Sequence, residues 1–190
     1  MTGLAKQAKT LTEAQVKAVV NTVKDTPMTH AMVLLSLKAG LRAKEVASLT
    51  WAMACDAEGN LGDVIALQNV ASKGKRGGRV IPMNGELRAA LQALWTPGCS
   101  GPVIRSARGR QMNANAVTVR FHRLYASLGF TGASSHSGRR TFITKMARRI
   151  VTVGGSLKDV QELAGHASLS TTQRYIESNA DAKRRAVEAA

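Results

Sequence analysis

Six side chains scattered along the sequence have types and spacings that could act on an anion. They are Arg42 in "GLRAKE", Lys73 in "SKGKRGGR", His136 and Arg139 in "HSGRR", His166 in "LAGH", and Tyr175, nine residues beyond that histidine. Arg42 and Glu45 stand i, i+3 in the first turn of an expected helix. Taken alone, such a pair is a surface ion pair worth about a few tenths of a kcal/mol. His136 and Arg139 are also i, i+3 and share one face of a helix start, where unpaired backbone N–H groups already favour an anion. By themselves they read as a capping histidine and a solvated arginine. Lys73 sits at the end of a strand in a Gly-rich basic loop. That loop is not a nucleotide-binding P-loop, because G-x-x-x-x-G-K-[ST] does not occur. Tyr175 lies beside Arg174 in a chain with only 4% aromatics, and by itself reads as a packed ring with its hydroxyl at the surface.

Charge says what the anion is. The 190 residues carry a formal net charge of +15, which a compact protein tolerates most easily when a polyanion offsets it. Between Asp63 and Asp159 there are sixteen Lys and Arg against one acid, Glu86, whereas a merely solvated surface intersperses both signs. From this excess, Lys75, Arg76, Arg79, Arg108, Arg110, Arg120 and Arg140 are the expected phosphate contacts. Cys55 and Cys99 are far apart, with no Cys or His at metal spacing, so neither a disulfide framework nor a zinc site is expected. No apolar run approaches membrane-spanning length, and "MTGLAKQAKT" lacks a signal-peptide stretch. A cytoplasmic protein is expected.

The elements that must hold these residues are mostly helical. Thr12 and Gln15 form a capping box that opens a helix with Val16, Val19, Val20 and Val23 on one face. A second helix starts at Pro27, carries Ala31, Met32 and Leu35 inward and stops at Gly40; a third runs from Leu41 to about Leu49. The β-branched runs "DVIALQNV" and "RVIPM" flank "ASKGKRGG" as a hairpin. Asn84 caps a helix with Leu87, Leu91 and Leu94, and after the loop "TPGCSGP" another carries Val117, Phe121, Leu124 and Leu128 to Gly129. A helix from near His136 passes through Phe142, Met146 and Ile150, and a short one spans Ser156 to Ala164. Ser170 and Gln173 read as a second capping box just ahead of Tyr175. One α+β domain follows, mainly α-helical, with a small antiparallel β-sheet inserted.

In order, G-L-R-x-x-E-x-x-x-L, a lysine on a hairpin, H-x-x-R and L-x-G-H leading to a tyrosine resemble the catalytic domain of tyrosine recombinases, the phage-integrase family. The likeness runs from about Leu11 to Ile176. Arg140 stands where relatives often have His, Ser137-Gly138 where Asp-Leu is commoner, and "ARRIVTVGGS" is longer than the usual link. Relatives usually carry an N-terminal helical domain, whereas about ten residues precede the first helix here. Residues 1–10 therefore read as an N-terminal extension and 11–179 as the catalytic domain; for the tail, 180–190, the family likeness implies exchange between subunits, and a frayed terminus is the alternative reading.

The resemblance implies DNA cleavage and rejoining through a 3′-phosphotyrosine, with no metal, ATP or other cofactor. Arg42 and Arg139 would clamp the non-bridging oxygens, Glu45 orient Arg42 from behind, and His136 assist proton transfer or hydrogen-bond the phosphate. His166 would donate to a non-bridging oxygen, Lys73 protonate the departing 5′-oxygen and Tyr175 attack. The implied partners are double-stranded DNA, three further copies in a tetramer on paired sites, and accessory DNA-bending proteins, with the protein nucleoid-associated when bound. Two other readings stand beside it, a type IB topoisomerase-like nicking-closing enzyme and a non-catalytic DNA-binding regulator.

Overall fold

Thr12 opens the first helix as expected: Gln15 N–H donates to Thr12 Oγ1 at 3.2 Å, and Thr12 N–H donates to Gln15 Oε1 at 3.0 Å. This is α1, Glu13–Val23, in a computed structural model that describes residues 8–68, 78–175 and 187–188. α2, Pro27–Lys38, is buried from Ala31 through Leu37 and is apolar on nearly every face. It is the central helix of the core, packed by α1 and by two later helices, α4 (Gly85–Gln92) and α6 (Ser137–Arg149).

Gly40 ends the approach to α2's successor with φ +63°, and a Cβ there would come within 2.5 Å of Phe142. Both requirements point to glycine: the left-handed backbone is open to it, and α6 packs too closely for a side chain. α3 covers only Ala43–Ser48, shorter than the Leu41–Leu49 expectation. Arg42 is its N-cap rather than a member of its first turn, and Leu49 turns extended because its carbonyl accepts from Val103 N–H at 2.9 Å.

The hairpin expectation holds. β1, Val64–Leu67, pairs antiparallel with β2, Arg79–Pro82, with Ile65 opposite Ile81 and Leu67 opposite Arg79. Ile65, Leu67 and Ile81 face the core while Val80 is exposed, as the two-residue strand period requires. Residues 69–77 fall outside the described residues, and with them Lys73, Lys75 and Arg76. Asn84 caps α4 by accepting from Leu87 N–H at 3.0 Å.

α5, Ala114–Ser127, packs on α3 through Val117, Phe121 and Tyr125. Leu124 and Leu128, expected inside, are only partly buried, and Tyr125 takes the core position between Phe121 and Phe130. α7, Leu157–Ala164, is capped by Ser156 with Asp159 and ended by Gly165 in left-handed conformation. α8, Leu169–Gln173, is capped by Ser168, whose hydroxyl accepts from Ser170 N–H at 3.2 Å. The expected Ser170–Gln173 box is therefore not the cap, because extended backbone sits at Ser168 and Ser170 is already helical. Tyr175 lies in the turn after α8. A smaller cluster of Phe142, Ile143, Ala147, Val160 and Ala164 joins α6 to α7, and Tyr175 packs against it. Among the described residues, no helix is long and apolar enough to cross a membrane.

Candidate active site

Arg42 is aimed by a buried carboxylate. Glu45 is fully buried and accepts from Arg42 N–H at 2.7 Å and from Arg42 Nη1 at 2.8 Å. Both its oxygens also receive the guanidinium of Arg79, at 2.8 and 2.9 Å. Burial alone would raise the Glu45 pKa, but its bonds to Arg79 and Arg42 outweigh that and bring it down to about 2. The surface-pair reading of Arg42 and Glu45 thus gives way to a buried three-residue network. Arg79, expected to face DNA, has a side chain only 9% exposed and turns inward to Glu45.

Arg139 projects from the first turn of α6 into an equally closed place, at 4% exposure. Its Nη1 donates to Gly40 O and its Nη2 to Ala164 O, each at 2.6 Å, so one guanidinium ties α6 to the end of α2 and the end of α7. Burial, then the neighbouring Arg42, lower its pKa to about 9, which leaves it protonated at neutral pH. Gly138 has a packing reason: a Cβ there would collide with Ser36 Oγ of α2. That close approach of α6 to α2 is what Gly138 permits.

His166 follows the Gly165 turn, which is clamped by His166 N–H to Gln161 O and by Gln161 Nε2 to His166 O, both at 3.0 Å. Its Nδ1 lies 2.9 Å from the buried Thr172 hydroxyl, and its ring stacks on Tyr175 with centroids 5.5 Å apart. Burial, then Arg139, Arg42 and Arg79, lower its pKa to about 4, so it is neutral at pH 7. If the Thr172 hydroxyl donates to Nδ1, the ring proton sits on Nε2 and is available as a donor. The Arg140 guanidinium lies 5.8 Å from the Tyr175 ring centroid, within cation–π range.

These groups open on a cavity of about 620 Å³ lined by Arg42, His136, Arg139, Arg140, His166 and Tyr175, together with Lys9 and Arg174. Five of the six expected catalytic residues are brought to one place, and the sixth, Lys73, lies outside the described residues. Five of the lining side chains are cationic and none among the described residues is a carboxylate, so the cavity suits a phosphate group. Lys9 and Arg174 are additions that the sequence reading missed. Lys9 is delivered by a strap in which Leu11 N–H donates to Thr141 Oγ1 at 2.8 Å and Lys9 N–H to Gly132 O at 3.3 Å. Thr172 was missed as well; its i, i+6 distance from His166 spans a turn and a helix start. Arg108 and Arg110 lie exposed in the loop before α5, and Arg120 on α5, away from the cavity. Tyr125, the other tyrosine, is 1% exposed; its hydroxyl has no partner among the described residues, and burial pushes its pKa up.

The profile of the Phage integrase family matches residues 9–182. Tyrosine recombinase XerC of Rhizobium meliloti is 34% identical over 154 residues, covering 76% of this chain and 44% of the relative. XerC of Xylella fastidiosa is 32% identical over 159 residues, covering 80% of this chain and 50% of the relative. The chain thus spans about half the length of the curated relatives it matches. The Tn1549 transposon integrase in complex with a circular intermediate DNA superposes with a TM-score of 0.77 at 22% identity, over 100% of this chain and 68% of that one. XerA recombinase does so with a TM-score of 0.71 at 22% identity, over 93% and 62%. Those two share the fold, and with the profile match along most of its length the chain belongs to the phage integrase family, the tyrosine recombinases.

Proposed function

We propose that this chain carries the catalytic site of a site-specific recombinase, which cleaves and rejoins double-stranded DNA through a 3′-phosphotyrosine. The observation that carries the reading is one cavity lined by Tyr175, by Arg42, Arg139 and further cations and by two histidines, with no carboxylate among the described residues that line it. The Tyr175 hydroxyl attacks the phosphorus and loses its proton; the bond from phosphorus to the 5′-oxygen breaks, and the protonated 5′-hydroxyl departs. The phosphodiester's energy is kept in the tyrosyl ester, so rejoining is the same path reversed. Arg42 and Arg139 offset the charge that grows on the non-bridging oxygens, and neutral His166 adds a hydrogen bond from Nε2. His136, exposed and lining the cavity, is a second hydrogen-bonding or proton-transfer group. Lys73, by family likeness, protonates the leaving 5′-oxygen.

The chain acts as a tetramer on paired sites, with residues 180–190 reaching a neighbouring subunit and accessory DNA-bending proteins assisting. Lys75, Arg76, Arg108, Arg110, Arg120 and Arg140 contribute phosphate contacts. The test is a nicked suicide substrate, whose released 5′ end diffuses away and leaves the covalent adduct trapped. Wild type should give a denaturant-resistant 3′-phosphotyrosyl adduct. Tyr175→Phe keeps the ring stacked on His166 and should give none, with DNA affinity intact. An adduct that persists in Tyr175→Phe would overturn the assignment.

A further inference from the structure

We propose that Arg79 is a positioning residue that sets the phosphate clamp, by locking Glu45 against Arg42 and by backing the Gly165-His166 turn. The proposal rests on the recombinase reading of the cavity.

Arg79 opens β2, opposite Leu67 at the end of the sheet. Its two Nη atoms engage both oxygens of Glu45, at 2.8 and 2.9 Å. The same carboxylate holds Arg42 twice, through the backbone N–H at 2.7 Å and through Nη1 at 2.8 Å. A carboxylate gripped on both oxygens by a planar fork cannot swing without breaking a charge-assisted bond, so the direction of Arg42 depends on Arg79. Without Arg79 each Glu45 oxygen would keep one bond, both of them to Arg42, and the carboxylate would lose the two that tie it to another part of the chain.

The other side of Arg79 lies against the turn that delivers His166. A Cβ on Gly165 would come within 2.9 Å of Arg79 Nη1 and 3.1 Å of its Cδ, and α7 packs on β2. Gly165 already needs its left-handed φ of +60° to end α7, so the turn and the arginine are fitted to each other. Arg79 thus joins three pieces of chain: the strand after the hairpin, the N-terminus of α3 and the Gly-His turn. It does not line the cavity, and Nε has no partner among the described residues. Its contacts are therefore with the machinery that touches the phosphate and not with the phosphate.

Two readouts separate this role from a DNA contact and from a purely structural one. Amide hydrogen exchange at Arg42 reports the Glu45 grip without any chemistry. In Arg79→Met it should speed up about tenfold, while core amides of α5 keep their protection. Single-turnover cleavage of the suicide substrate should slow about 10- to 100-fold, with the salt dependence of DNA affinity unchanged. Arg79→Lys keeps the charge and loses the fork, so it carries the same measurements should Arg79→Met fold poorly. Unchanged Arg42 exchange, or cleavage at the wild-type rate, overturns the proposal. So does a fall of about one unit in the log-log salt slope, which would make Arg79 a phosphate contact. If wild type forms no adduct, the recombinase reading falls; faster Arg42 exchange would then still uphold the coupling of Arg79 to Arg42.

Discussion

Arg139→Lys keeps a positive charge at the centre of the site and removes a fork, so it tests whether this residue acts as a charge or as a geometry. The guanidinium bridges Gly40 O and Ala164 O, both at 2.6 Å, in a place only 4% exposed. A lysine ammonium reaches one of the two, and the other carbonyl is left buried without its donor. A hydrogen bond from a charged group contributes about 1.5–3 kcal/mol, so the folded state should lose about 2–3 kcal/mol. For a chain of this length that lowers the melting temperature by about 4–12 °C. If Arg139 also clamps the phosphate as proposed, losing the fork should slow cleavage a further ~100- to 1000-fold. Thermal and urea unfolding followed by circular dichroism give the first number. Single-turnover adduct formation, measured well below the variant's melting temperature, gives the second without interference from unfolding. Arg174→Lys serves as the control, because Arg174 lines the same cavity from an exposed position and should keep wild-type stability. An Arg139→Lys variant that melts with wild type would refute the bridging role, and one that cleaves at the wild-type rate would refute the clamp.

Thr172→Val keeps the shape of a fully buried side chain and removes the hydroxyl 2.9 Å from His166 Nδ1. Cleavage should slow about 10- to 100-fold as the ring loses its tautomer partner, with DNA affinity unchanged; wild-type cleavage would show that Nδ1 needs no partner. The pH dependence of stability has a definite sign. His166 falls from 6.5 to about 4 on folding, so the unfolded chain binds the extra proton between those values, and stability is full above pH 6.5 and lost as pH falls toward 4. Glu45 adds a second loss from pH 4.5 toward 2, since its depressed pKa stabilises the fold only while the carboxylate is ionised. Urea midpoints measured across pH 2–8 should show both windows, and His166→Gln should remove the upper one. Tyr125→Phe deletes a buried hydroxyl that has no partner among the described residues, so it should stabilise the fold by up to about 1 kcal/mol and leave adduct formation intact. Loss of the adduct in Tyr125→Phe would move the nucleophile.

What the sequence determined by itself was local. The Thr12–Gln15 box, the Asn84 cap, the glycine stop at Gly40 and the strand period around Ile65 and Ile81 depend on neighbours a few residues away. Helices and strands could therefore be placed, and their order carried the family motifs with them. Errors arose where a distant partner intervened. Val103 claims the carbonyl of Leu49 and shortens α3, and the docking of α5 on α3 puts Tyr125 inside in place of Leu124 and Leu128. Only the tertiary structure decided what the charges do. Arg79 meets Glu45 across 34 positions and Arg139 meets Gly40 across 99, and no local pattern separates such a buried arginine from a solvated one. Composition supplied an excess of cations and motif order supplied the candidates. Packing then placed Arg42 and Arg79 on one buried carboxylate and Arg139 between two backbone carbonyls, and left other cations facing the cavity or the solvent. The physical reason is desolvation: a buried charge persists only where the fold supplies its partner, and that partner is known only once the chain has folded.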